Sequence, residues 1–209
     1  MHEEVLVFHG WGCTGKDWEK YFKSSSERKY HFFDRGYQNK PFLPSFSNQQ
    51  ARKELIFHSM GLYFAPLKLL QEADKITFLS CFNSFHPQET FQYKLSQRSL
   101  ALMQKKMNSD PSSLLQEFRR RCGIMESFDF SAIWDWDLLI RDLEILDQHR
   151  LEIGKLNAEL KIYWSTKDLI VHQEVLQRFS EQFFHKCCVV LEGKDHSLGL
   201  LSGRGEELT

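Results

Sequence analysis

The chain has 209 residues, 42% hydrophobic and 26% charged, with a formal net charge of −1. That composition fits one globular domain burying roughly 70% of the surface its unfolded chain would expose, and it gives no bulk basic footprint for nucleic acid. No apolar run approaches the ~18 residues of a membrane span. Five cysteines (Cys13, Cys81, Cys122, Cys187, Cys188) lack a C-x-x-C spacing and Met1-His2-Glu3-Glu4 has no positive charge run, so a reduced, cytoplasmic protein, acting as a monomer, is the expectation.

Along the chain, short apolar strands alternate with helical stretches. Glu4-Val5-Leu6-Val7-Phe8 stops at His9-Gly10-Trp11-Gly12, and Lys29-Tyr30-His31-Phe32-Phe33 stops at Asp34-Arg35-Gly36. Glu54-Leu55-Ile56-Phe57 is a third strand, Gly61 to Gln71 has helical spacing, and Lys75-Ile76-Thr77-Phe78-Leu79 is a fourth strand. Successive βαβ steps predict a parallel sheet covered on both faces, with right-handed crossovers. From about His86 to Asn157 the strand signal gives way to helical periodicity over Arg98 to Met107, Ser113 to Arg121 (capped by Ser112 or Ser113 after Pro111) and Trp134 to Leu146. This reads as a helical insertion, 86–157, in a single domain, 1–209. Strands resume with Glu159 to Trp164 and Cys187 to Leu191, on either side of a helix from Gln173 to Phe184.

Three signals then fall in one order, each just past a predicted strand: Ser59 in Phe57-His58-Ser59-Met60-Gly61, Asp168 after Trp164-Ser165-Thr166-Lys167, and His196 after Gly193-Lys194-Asp195. Ser, then Asp, then His is the chain order of the α/β-hydrolase triad. The expected fold class is therefore α/β: an α/β-hydrolase fold with a compact, mostly parallel sheet of about six strands, helices on both faces and a helical lid. A serine hydroxyl needs a base within reach, and a sharp strand-to-helix turn exposes it while aiming backbone N–H groups at a developing oxyanion. The N–H of Met60 is one such donor, and the loop Gly10-Trp11 after the first strand is placed to supply the second.

Each residue also has a plainer role. Ser59 alone reads as the N-cap of the following helix, Asp168 as a turn or cap residue, and Asp195 competes as partner for His196. His9 and His58, at strand ends, read as packing residues. None of the nine histidines shows H-E-x-x-H spacing or a clustered ligand set, so neither metal nor cofactor is expected. One residue departs from the G-x-S-x-G elbow: Phe57 stands at the first glycine position, so its ring must point away from the crossing helix or the turn is distorted.

His9-Gly10-Trp11-Gly12 with Trp18, His58-Ser59-Met60-Gly61, Leu143-Glu144-Ile145-Leu146 with Leu151, Ser165 to Val171 around Asp168, and His196 together resemble the pimeloyl-acyl-carrier-protein methyl ester esterases of biotin synthesis. The resemblance implies a carboxylesterase in which Ser59 attacks, His196 acts as base, Asp168 orients it, and the N–H groups of Trp11 and Met60 hold the oxyanion. It also implies substrate contacts from Trp11 and from the lid stretch Phe118 to Cys122. Phe85, Phe91, Phe118, Phe128, Phe130, Trp134 and Trp136 would give the lid apolar surface for an acyl chain, although any one of them alone reads as packing. Lys94, Arg98, Lys105, Lys106 and the run Arg119, Arg120, Arg121 would offer an acidic acyl-carrier protein a docking patch, or simply a solvated face. Two other functions fit the same residues: an esterase or thioesterase for another small acyl substrate, and, on account of Phe57, a hydrolase-fold protein that binds without turnover.

Overall fold

The computed structural model describes residues 2–124, 132–183 and 188–198; Phe128, Phe130, Phe184 and Cys187 lie outside the described residues. Among those described, β1 (Glu3–Phe8), β2 (Arg28–Phe32), β3 (Arg52–His58), β4 (Lys75–Leu79), β5 (Glu159–Ser165) and β6 (Cys188–Leu191) form one sheet. Every neighbouring pair is parallel, in the order β2-β1-β3-β4-β5-β6. The chain steps from β1 to β2 on one side and returns as β3 on the other. Loops leaving the carboxyl ends of β1 and β3 therefore diverge and open a crevice at that switch point.

The two-residue period of the strands splits the core between the sheet's faces. Val5 and Val7 pack with Trp18, Phe22 and Ile56 on one side, while Leu6, Phe8, Leu55, Phe57, Ile76 and Phe78 pack on the other. On this second face the register sets Phe8 opposite Phe57 and Phe57 opposite Phe78. Ring centroids are 5.2 and 5.8 Å apart, and the row continues through Phe33 at one end and Phe179 at the other. Phe57 is thus a rung of an aromatic ladder, each contact of which contributes about 0.5–1.5 kcal/mol beyond its area.

The helices are α1 (Gly15–Glu19), α2 (Leu67–Glu72), α3 (Thr90–Ser109), α4 (Pro111–Arg121), α5 (Trp136–Gln148) and α6 (Gln173–Glu181). The single helix expected from Gly61 to Gln71 is instead a 3-10 turn, Ser59–Phe64, followed by the separate α2. Pro66 explains the break, since the residue before proline is driven out of the helical region and Ala65 has ψ 131°. α3 starts at Thr90 rather than Arg98, because its first turns bury no apolar stripe and are held by the Glu89 carboxylate, which accepts from the N–H groups of Phe91 and Gln92. Asp110, not Ser112 or Ser113, caps α4, with Pro111 at its first position. No helix among the described residues is long and apolar enough to cross a membrane.

Candidate active site

Ser59 sits at the carboxyl end of β3 in a left-handed conformation, φ 54°, which a serine adopts only when its surroundings impose it. Two glycines make room for that turn. A Cβ on Gly61 would fall against the carbonyl oxygen of Phe8, and one on Gly10 would lie 2.8 Å from Cβ of Ser59. The close approach of backbones is therefore at Gly61 and Gly10, and the Phe57 side chain leaves the turn clear by packing into the aromatic row.

Asp168 and His196 come together from the loops after β5 and β6. One Asp168 oxygen accepts from the backbone N–H groups of Ile170 (2.8 Å) and Val171 (2.9 Å), and the other accepts from Nδ1 of His196 at 2.6 Å. With Nδ1–H donated to the carboxylate, the tautomer leaves a bare lone pair on Nε2, and this atom is buried with no hydrogen-bond partner. Ser165 clasps the two loops by donating its hydroxyl to the carbonyl of Lys194. Asp195 is not the partner of His196: its carboxylate accepts instead from the N–H and hydroxyl of Ser197. His58 holds the same loop from below, its Nε2–H donating to the carbonyl of His196 at 3.1 Å. Burial and the neighbouring His196 push the His58 imidazole well below its ordinary pKa, so it remains neutral and serves as a strut.

The loop after β1 is fixed from several sides. Nε2 of His9 accepts the Arg35 N–H at 3.1 Å, so Nδ1 carries the proton and donates to the Gly10 carbonyl at 2.8 Å. Burial holds this imidazole below its ordinary pKa. The Trp11 indole N–H donates to the carbonyl of Leu139 in α5, and its ring meets Phe118 of α4 edge-on. Arg35 in turn forks onto the fully buried Asp142 of α5, which also accepts from the Tyr37 hydroxyl.

A cleft of about 450 Å³ opens over Ser59. Trp11, Met60, Phe118 and Asp168 line it, together with Leu143 and Leu146 of the Leu-Glu-Ile-Leu stretch. Sequence reasoning missed Gln92, Ser96 and Ser99 of α3 and His172, the cap of α6, which also line the cleft. The spacing of the α3 residues, one face of a helix, was the available signal.

Two expected assignments are corrected. Cys122 is not part of the lining: its thiol is buried, which pushes its pKa well up, and its carbonyl accepts the Ser197 N–H at 2.7 Å. Arg119 is not a free surface charge either. It is buried, bidentate on Asp17 of α1 (2.7 and 3.0 Å), and donates to the Gly12 carbonyl at 2.9 Å. Arg120 and Arg121 do remain exposed, each paired with Glu117.

This strand order, with a strained serine after β3, an acid after β5 and a histidine after β6, is the α/β-hydrolase fold. Similar solved structures include an esterase from Exiguobacterium antarcticum (17% identity, TM-score 0.72, covering 98% of this chain and 88% of that one). A hydrolase from Oleispira antarctica is similar at 15% identity and TM-score 0.69, covering 98% of this chain and 88% of that one. BioG from Haemophilus influenzae is similar at 18% identity and TM-score 0.60, covering 95% of this chain and 90% of that one. No protein-family model matches the chain, and no curated protein sequence matches it significantly. At such identities the likeness establishes the fold and leaves the activity to be argued from the site.

Proposed function

We propose that the chain is a serine carboxylesterase, and that its substrate is a methyl ester of a carrier-bound dicarboxylic acyl chain, pimeloyl-acyl-carrier protein methyl ester. The observation that carries the first part is the His196 ring, oriented by Asp168 at 2.6 Å and left with a buried, bare Nε2. Ser59 Oγ attacks the ester carbonyl as Nε2 takes its proton, and the backbone N–H groups of Trp11 and Met60 receive the oxyanion. Collapse returns the proton to the leaving methanol. Water, deprotonated by the same Nε2, then attacks the acyl-enzyme, and the free acid leaves as Ser59 is reprotonated. Asp168 stays ionised throughout. The structure has no Ser59–His196 hydrogen bond, so Oγ and Nε2 come within reach of one another only when substrate is bound.

The substrate rests on the sequence resemblance, on a fold shared with an esterase and with BioG, and on the apolar cleft of a size suited to an acyl chain. The helices α3, α4 and α5, within 86–157, act as a lid, with Phe118 as an acyl contact. A carrier protein docks through Arg120 and Arg121, without Arg119. The reading without turnover loses its motive, since Phe57 leaves the turn clear. Hydrolysis of another small acyl ester or thioester would use the same machinery. The test is kcat/KM on a short p-nitrophenyl ester and on the carrier-bound methyl ester, for wild type, Ser59→Ala and Arg120→Glu, since Arg121 also lines the cleft and Arg120 does not. Loss of both activities in Ser59→Ala, by about 10⁶ in kcat, is the expected result. Arg120→Glu should weaken only carrier-bound hydrolysis, and equal loss on both substrates would overturn the docking.

A further inference from the structure

In the same cleft as Ser59, one face of α3 presents Gln92, Ser96 and Ser99. The Ser96 hydroxyl lies 2.7 Å from Nδ1 of His86, and Nε2 of His86 lies 3.1 Å from a carboxylate oxygen of Asp147 in α5. His86 is only 7% exposed, its ring packs against Phe85 and Tyr93, and the Arg178 guanidinium donates to its carbonyl. The imidazole is therefore fixed.

The proton positions follow from chemistry. A carboxylate only accepts, so Nε2 carries a hydrogen, and in the neutral form of the ring Nδ1 is bare. The Ser96 hydroxyl must then donate to Nδ1. A serine inside a helix commonly turns its hydroxyl to the carbonyl four residues back, but here that hydrogen is committed to His86. What Ser96 presents to the cleft is an oxygen with lone pairs only. The three residues are no second nucleophilic triad: Ser96 is interior to a helix, where backbone N–H groups bond within the helix and none is left to hold an oxyanion.

We propose that Ser96 is a recognition residue that accepts a hydrogen bond from an N–H donor, a secondary amide, on the part of the substrate away from the scissile ester. His86 and Asp147 are positioning residues that keep it an acceptor. The proposal rests on the esterase reading only in taking the cleft as the substrate site.

Two probes separate the claims: the methyl ester of adipic acid mono-N-ethylamide, and its ketone isostere with methylene in place of N–H. Equilibrium binding is measured to Ser59→Ala, and hydrolysis to wild type. The amide should bind Ser59→Ala tighter by on the order of fivefold, as expected for one hydrogen bond. Adding Ser96→Ala should bring the ratio of the two affinities to about one, and adding His86→Phe, which keeps an aromatic ring against Tyr93, should reduce it. Equal binding of the two probes to Ser59→Ala, a preference that survives Ser96→Ala, or no binding of either would overturn the proposal. Absence of hydrolysis by wild type alongside a Ser96-dependent preference would instead sink the esterase reading and leave this one standing.

Discussion

Ser59 is held at positive φ between Gly10 and Gly61, and at Gly61 there is no space for a further carbon against the Phe8 carbonyl. Gly61→Ala should therefore displace the elbow and abolish ester hydrolysis, while Phe57→Leu, in the aromatic row, should reduce stability and spare most of kcat. Thermal melts together with p-nitrophenyl ester kinetics separate the two effects. Asp168→Asn removes the acceptor that selects the His196 tautomer, and kcat should fall by about 10⁴ with little change in the fold. The positions of Ser59, Asp168 and His196 just past strand ends were legible in the sequence, because a short apolar run stops abruptly before each. Cys122 was misplaced because a helix end that bonds through its carbonyl leaves no mark on the choice of side chain.

At the scale of elements, α4 is fastened to α1 by the buried pair Arg119–Asp17, and α5 to the sheet's loops by the half-buried pair Arg35–Asp142 and the Trp11–Leu139 bond. Arg119→Ala strands Asp17 beside the loop after β1 and should cost about 3–5 kcal/mol, far more than Arg120→Ala. Asp17→Ala in the same chain should recover part of that loss, and urea midpoints of the single and double variants measure it. Burial alone would raise the Asp17 carboxyl, but the hydrogen bonds and charge of Arg119 outweigh it and hold the group below its ordinary value. The pair's stabilisation is thus present above about pH 3.9 and lost as pH falls through the folded value. None of this was readable locally. Arg35 meets Asp142 across 107 positions, and a run of three arginines looks the same whether solvated or paired. The early turns of α3 escaped for a related reason, since residues that face a cleft and solvent carry no apolar stripe.

For the whole molecule, strand count and the parallel sense of the sheet were readable from apolar runs alternating with helical spacing, because buried parallel strands need near-continuous apolar residues, whereas the strand order and its switch point emerge only from the pairing. The same burial makes stability depend on pH. His9 and His58 are both buried and held neutral, their pKa values lowered by desolvation, so the unfolded chain takes up protons before the folded one does. Their contribution is full above the unfolded value of about 6.5 and is lost as pH falls below it. The urea midpoint should fall between about pH 7.5 and 5.5, and His58→Asn should flatten that slope.

The central claim is that Ser59 is a nucleophile activated by His196. The most direct measurement is fluorophosphonate labelling of the intact chain, with the modified peptide located by mass spectrometry. The account predicts a single adduct on Ser59, lost in Ser59→Ala and strongly slowed in His196→Ala. A well-folded wild type that takes no label, or one labelled equally well without Ser59, would contradict it.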